Sequence, residues 1–128
     1  MSEPFVTLEK SGRIVTVTLN RPDSRNAVAT HQDCDDMIAA MASISRDREL
    51  SVMILCAAGK SFSAGGDLKA MKERRGIGPL ATPADTRDNY RRGVQAMIKA
   101  MADVEVASVA AINGHAIGLG LDLAAICD

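Results

Sequence analysis

Two glycine-rich loops, each followed by an acidic residue, carry the chemistry this sequence can offer. They read Gly59-Lys-Ser-Phe-Ser-Ala-Gly65-Gly-Asp67-Leu68 and Gly114-His-Ala-Ile-Gly-Leu-Gly120-Leu-Asp122-Leu123, one G-x5-G-x-D-L pattern used twice at a constant offset. Each loop is expected to open a helix, and the first turn of a helix exposes backbone N–H groups that have no intrahelical partner. Two such donors converging on one point form an oxyanion hole, which stabilises a carbonyl oxygen as it becomes an enolate. Asp122, in the first turn of the second helix, has the chemistry of an acid/base group. It would equally complement the helix dipole, an effect worth about 0.3–1 kcal/mol, and residue chemistry alone leaves both roles open. For Asp67 the dipole role is the preferred reading.

Other motifs fail on a specific residue. A P-loop ending in Gly59-Lys60-Ser61 needs glycine where Ile54 stands, and a dinucleotide fingerprint begun at Gly118 needs glycine where Leu123 stands. A nucleophile elbow requires glycine two residues before and two after its serine, whereas Ser61 has only Gly59 before it and Ser63 only Gly65 after it. His31 and His115 have no neighbour at metal-ligand spacing, so no metal site is expected. His31 reads as a surface residue in a helix's first turn, and His115 as part of the second loop's structure.

The elements that must position these loops follow from periodicity. Phe5–Glu9 and Arg13–Leu19 alternate around Ser11-Gly12 and predict a β-hairpin. Asn20 to Asn26 is a polar, turn-rich loop. A helix is expected from Thr30 to Ser45, with Cys34, Met37, Ile38, Met41 and Ile44 on one stripe. Val52–Cys56 and Ser108–Ile112 read as buried strands, each delivering one glycine loop. A short helix is expected from Asp67 to Arg75, and a longer one from Thr86 to Ala102 with Tyr90, Val94, Met97, Ile98 and Met101 on one face. Gly76 to Pro83 interrupts regular structure and is the candidate mobile segment. The last helix runs from about Leu119 into Asp128 with no capping signal, as in a chain cut short. A helix–strand–loop–helix unit is thus used twice.

At 128 residues with 47% hydrophobic content, the chain has the size and composition of one globular domain or part of one. A net charge of −1 and only three aromatic residues, Phe5, Phe62 and Tyr90, argue against a nucleic-acid partner. No apolar run reaches membrane-spanning length. Met-Ser-Glu-Pro-Phe has no leader pattern, and Cys34, Cys56 and Cys127 are odd in number and widely spaced. Buried free thiols in a cytoplasmic protein are the expectation, an organelle being left open.

Three segments together resemble the enoyl-CoA hydratase/isomerase (crotonase) family over essentially the whole chain. They are Leu19-Asn-Arg-Pro-Asp-Ser-Arg-Asn-Ala27, Phe62-Ser-Ala-Gly-Gly-Asp-Leu68 and Ala111-Ile-Asn-Gly-His-Ala-Ile-Gly-Leu-Gly-Leu-Asp-Leu123, in the family's order and spacing. The resemblance implies an α/β spiral of ββα repeats with two nearly perpendicular sheets, of the ClpP/crotonase type, assembled as trimers or hexamers. Residues 1–128 would be the N-terminal part of a single such domain, incomplete at the C-terminus. It implies an acyl-coenzyme A thioester as substrate, coenzyme A being part of that substrate and no further cofactor needed.

Carried over by position, the oxyanion donors are the backbone N–H groups of Gly66 and Leu119, and Asp122 holds the first catalytic carboxylate position. Arg25, Ala27, Ala64, Gly66, Asp67 and Leu68 fall on the family's coenzyme A surface, with Arg25 as a phosphate partner. Most relatives carry glycine at Leu119, a change that keeps the backbone donor and bears on acyl-pocket width. Hydratases carry Glu where Asp122 stands. One methylene less withdraws the carboxylate by about 1.5 Å, a misplacement worth about a hundredfold in rate. The implied activity is hydration of a 2-enoyl-CoA by a lyase of fatty-acid or acyl-CoA catabolism. The alternatives are a dienoyl- or enoyl-CoA isomerase, whose dienoyl members share this Asp, and a catalytically incomplete acyl-CoA-binding fragment. The hydratase's second glutamate would lie beyond Asp128, so the 128 residues alone are expected to be inactive.

Overall fold

The computed structural model describes residues 3–128, so of the N-terminal stretch read above Met1 and Ser2 lie outside the described residues. Alternation buries one row of the second strand of the opening hairpin, while in the first strand only Val6 is buried. β1 (Val6–Ser11) and β2 (Ile14–Leu19) form an antiparallel hairpin whose turn holds Gly12 at φ 60. On β2 every second residue, Val15, Val17 and Leu19, is buried. β3 (Val52–Ala57) joins β2 in parallel, setting Met53 and Leu55 beside Val15 and Val17 so that the inward rows line up. β4 (Ala107–Ala110) adds in parallel to β3, giving the order β1-β2-β3-β4.

Parallel neighbours need crossovers, and helices supply them. α1 (His31–Arg46) links β2 to β3 and buries Cys34, Met37, Met41 and Ile44 as its stripe requires. Its start is fixed by a capping box. The Thr30 hydroxyl accepts from Asp33 N, and the Asp33 carboxylate accepts from Thr30 N. The same carboxylate, almost fully buried, pairs with Arg21 at 3.1 Å, tying the polar loop to the helix. α2 (Leu68–Lys72), α3 (Pro83–Arg92) and α4 (Val94–Ala102) lead from β3 to β4, and α5 (Leu119–Ala125) follows the second loop.

Several features differ from expectation. The helix expected over 86–102 is two helices, because Gly93 takes φ −100 and ψ −98 where a side chain would press on His31 and the Asn89 carbonyl. The short helix expected from Asp67 to Arg75 ends at Lys72, before Arg74 turns to φ 52. The last helix stops at Ala125. Asp128 then folds back, its carboxylate accepting from Ser108 N at 2.9 Å on β4. Residues 76–82 are irregular but fastened. Asn89 donates to the carbonyls of Gly76 and Gly78, accepts from His31 at 2.5 Å, and Ile77 is buried beneath them. His31 is therefore a packed partner of this segment rather than a bare surface residue.

Cys34 is buried as expected, and burial with the nearby Asp33 and Asp35 carboxylates pushes its thiol up to about 12. Cys56 and Cys127 are only half-buried, against the expectation of three buried thiols. No described helix is long and apolar enough to cross a membrane. The described residues form one sheet. A second layer is present only as two isolated parallel bridges, Val28 with Gly66 and Ser63 with Ala116. Those bridges build the site. The apolar residues Val109, Ile112, Ile117 and Leu121 are exposed.

Candidate active site

The first loop is shaped by a buried asparagine. Asn26, at a left-handed φ of 55 that asparagine tolerates better than most residues, has no solvent exposure. Its side-chain amide donates to the carbonyls of Ala58 at 2.9 Å and Ser61 at 3.0 Å, and its Oδ1 accepts from Arg21 N at 2.7 Å. The chain then runs alongside residues 25–28. Ala64 N donates to Arg25 O, Val28 N to Gly65 O, and Asp67 N to Val28 O, at 2.8–3.0 Å. The Gly65–Gly66 peptide is planar and trans, so a carbonyl turned toward Val28 sends the Gly66 N–H the opposite way. Nothing among the described residues accepts from it.

The second loop closes over the first. Asn113 donates to Ala57 O and Gly59 O, and a side chain on Gly114 would strike the Lys60 carbonyl. Phe62 N and Ser63 N both donate to His115 O, while Ile117 N donates to Ser63 O, each at 3.0 Å. Gly118 at φ 55 then starts α5, and its carbonyl accepts from Leu121 N and Asp122 N. The Leu119 N–H, in the same peptide plane, points out of the helix start with no acceptor among the described residues. A Cβ built on Gly65 would lie 2.5 Å from Ile117 O and 3.2 Å from Leu119 N. The two backbone segments bearing unpaired donors are therefore in contact.

Only one of these donors belongs to a helix. Leu119 opens α5, whereas Gly66 lies in the extended stretch ahead of Asp67, the residue that caps α2. The expectation of two helix N-termini is corrected accordingly. Asp67 accepts from Ala70 N at 2.9 Å, the structural role preferred for it. Asp122 is exposed and its side chain has no hydrogen bond or ion pair among the described residues. It follows Leu119 by three residues and so lies on the same helix face.

Arg25, Ala27, Ala64, Gly66, Asp67 and Leu68 are brought together around one cavity of about 400 Å³, joined there by Asp23 and Ser24. Arg25 and Ala64 also border a second cavity of about 470 Å³ with Lys60, Ser61, His115 and Ile117. Arg25 and Lys60 form no ion pair among the described residues. Leu119 and Asp122 line neither cavity.

The profile of the enoyl-CoA hydratase/isomerase family matches residues 9–128. The chain belongs to that family. Its sequence is 33% identical over 128 residues to the 2,3-dehydroadipyl-CoA hydratase of Escherichia coli K12, covering all of this chain and 45% of that protein. It is 32% identical over 122 residues to a probable mitochondrial enoyl-CoA hydratase of Dictyostelium discoideum, covering 95% of this chain and 40% of that one. The crystal structure of an enoyl-CoA hydratase/carnithine racemase from Magnetospirillum magneticum superposes with a TM-score of 0.85 at 31% identity, over 99% of this chain and 45% of that one. The α/β architecture is thus that of the crotonase fold, and the chain spans about half the length of the relatives it matches.

Within this hydratase/isomerase family member, two residues central to the geometry escaped the sequence reading. Asn26 was only part of a polar turn, and Ser63 was considered only as a nucleophile. Ser63 has no solvent exposure and its hydroxyl is fully engaged. An Asn after Arg25 in a glycine-poor turn was the available hint for the first. No local signal marked the second.

Proposed function

We propose that residues 1–128 form the N-terminal part of a single crotonase-like domain that binds the thioester of a 2-enoyl-CoA and stabilises its enolate, in a hydratase-type lyase of acyl-CoA catabolism. The observation that carries this is the contact at Gly65 between two backbone segments whose Gly66 and Leu119 N–H groups both have no acceptor among the described residues. A thioester oxygen placed between them would gain two preorganised donors as it takes on charge, an arrangement worth about 10²–10³ in rate per donor. The cavity beneath Gly66 takes the pantetheine chain, and Arg25, unpaired at its rim, takes a phosphate. Asp122 exchanges the proton at the carbon next to the thioester. Its carboxylate is the single acid/base group this reading assigns, and a water nucleophile needs a second one to hold it. The intact enzyme is proposed to be a homotrimer or hexamer that needs no cofactor beyond the coenzyme A of its substrate.

Asp122, shorter than the glutamate of hydratases, favours a second reading: double-bond isomerisation, in which this carboxylate moves a proton between carbons. Two measurements test these readings. The chain titrated with crotonyl-CoA by calorimetry is expected to bind without turnover. Joined to the remaining length of a relative such as the E. coli hydratase, it is expected to hydrate crotonyl-CoA. Failure to hydrate any 2-enoyl-CoA, with turnover of a 3,5-dienoyl-CoA in its place, would replace the hydratase reading by the isomerase one. Turnover by the 128 residues alone would overturn the expectation that they are catalytically incomplete.

A further inference from the structure

The geometry points to Ser63 as the positioning residue that sets both oxyanion donors, an inference that rests on the reading of Gly66 and Leu119 as thioester donors. Ser63 is fully buried and every polar atom it owns is used to join a different piece of the site. Its hydroxyl donates to Asn26 O at 2.8 Å and accepts from Gly65 N at 3.1 Å. Its backbone N–H donates to His115 O and its carbonyl accepts from Ile117 N, both at 3.0 Å. The polar turn, the first loop and the second loop therefore meet at one residue.

The direction of each donor can be traced to these bonds. Gly65 N, held by the Ser63 hydroxyl, begins the residue whose carbonyl accepts from Val28 N, and that carbonyl fixes the plane carrying the Gly66 N–H. Ile117 N, held by the Ser63 carbonyl, precedes by two residues the Leu119 N–H at the start of α5. Gly120 packs directly on Ser63, where a Cβ would lie 2.8 Å from the Ser63 Cβ. The helix start is thereby pressed against the serine.

Asn26 completes the device from behind. It supplies the carbonyl that the serine hydroxyl donates to, while its side chain holds Ala58 and Ser61 on the same loop. The Ser63 hydroxyl touches no group read as contacting substrate. Its effect is to hold the spacing of two donors on which a shift of about 1 Å is worth about a hundredfold in rate.

The test separates binding from charge stabilisation. Acetoacetyl-CoA is a β-keto thioester whose enolate carries negative charge on the thioester oxygen, and its ionised fraction is read by ultraviolet difference spectroscopy across pH. Coenzyme A itself, lacking the acyl group, reports binding away from the donors and is measured by calorimetry. Ser63→Ala is expected to lower the ratio of bound enolate to bound neutral ligand at fixed pH by about tenfold, with coenzyme A affinity within about twofold of the parent. Ser63→Cys, which keeps the volume and a weaker donor, is expected to fall between the two. An enolate ratio equal to the parent's in Ser63→Ala overturns the inference, as does a fall matched by an equal loss of coenzyme A affinity. If Ser63→Ala shows no cooperative melt, Ser63→Cys decides by the same two criteria. A parent chain that binds coenzyme A but does not enrich the enolate removes the oxyanion reading itself, a result distinct from any difference between parent and variant.

Discussion

Gly120→Ala tests the close approach of the two loops through the sign of a stability change. Gly120 is the second residue of α5, where replacing glycine by alanine on helix propensity alone stabilises by up to ~1 kcal/mol. The tertiary structure demands the opposite. The new methyl would lie 2.8 Å from the Ser63 Cβ and 2.9 Å from the Ser63 carbonyl carbon, closer than real Cβ contacts come. That carbonyl already accepts from Ile117 N, so it has little freedom to rotate away. Overpacking of this kind costs about 1–3 kcal/mol, and against backbone the upper end applies. Set against the propensity gain, the net destabilisation is ~2 kcal/mol, or roughly 6–10 °C in Tm for a chain of this size. Urea denaturation followed by circular dichroism at 222 nm measures it. Gly12→Ala is the control, since φ is 60 and no atom lies within 4 Å, so only a left-handed backbone penalty of ~1–2 kcal/mol applies. A Gly120→Ala variant as stable as the parent, or more stable, would refute the contact on which the site geometry depends.

Leu119→Pro removes the proposed donor while placing proline at the first position of a helix, where it is well tolerated. Enolate enrichment of bound acetoacetyl-CoA is expected to fall by about 10²–10³ with the melting temperature little changed, read by difference spectroscopy and a thermal scan. Asp67→Ala deletes the cap of α2 and is expected to cost ~1 kcal/mol by urea denaturation. Cys34 gives a pH dependence. Its folded thiol is raised from 9.0 to about 12, so the protonated form is favoured in the folded state. The stability this contributes is fully present below pH about 9 and is lost as pH rises toward about 12, amounting to a few kcal/mol, roughly. Denaturation curves from pH 8 to 11 should show a steeper loss in the parent than in Cys34→Ala.

Much of the scaffold was legible because its signals are local. Alternation in Val15, Val17 and Leu19 specifies a half-buried strand wherever that segment sits, and the stripe from Cys34 to Ile44 specifies a helix face. The break at Gly93 was not legible. One glycine inside a helical pattern costs only ~1 kcal/mol, so its effect depended on its surroundings, including His31 packed against it from α1. The residues read by resemblance as a coenzyme A surface and the one read as an acid/base group are placed differently. The first loop and residues 25–28 lie side by side through backbone bonds, so all six expected residues share one cavity, whereas Asp122 stands exposed beyond it.

By itself the sequence determined which residues could do chemistry: two glycine loops, an aspartate after each, and the strands that deliver them. Their types and spacing do not depend on the rest of the chain. It favoured a helix-dipole role for Asp67 and, by resemblance, the carboxylate position for Asp122, but it held no physical cause for that difference. Asp67 became a helix cap and Asp122 remained an uncommitted carboxylate because α2 begins after the first aspartate and α5 begins three residues before the second. Only the tertiary structure shows those starts, together with the packing of Gly65 and Gly120 against the opposite loop. In that packing the Gly66 and Leu119 N–H groups have no acceptor among the described residues. A donor is unpaired through the positions of distant backbone atoms, and no pattern of side chains encodes those positions locally.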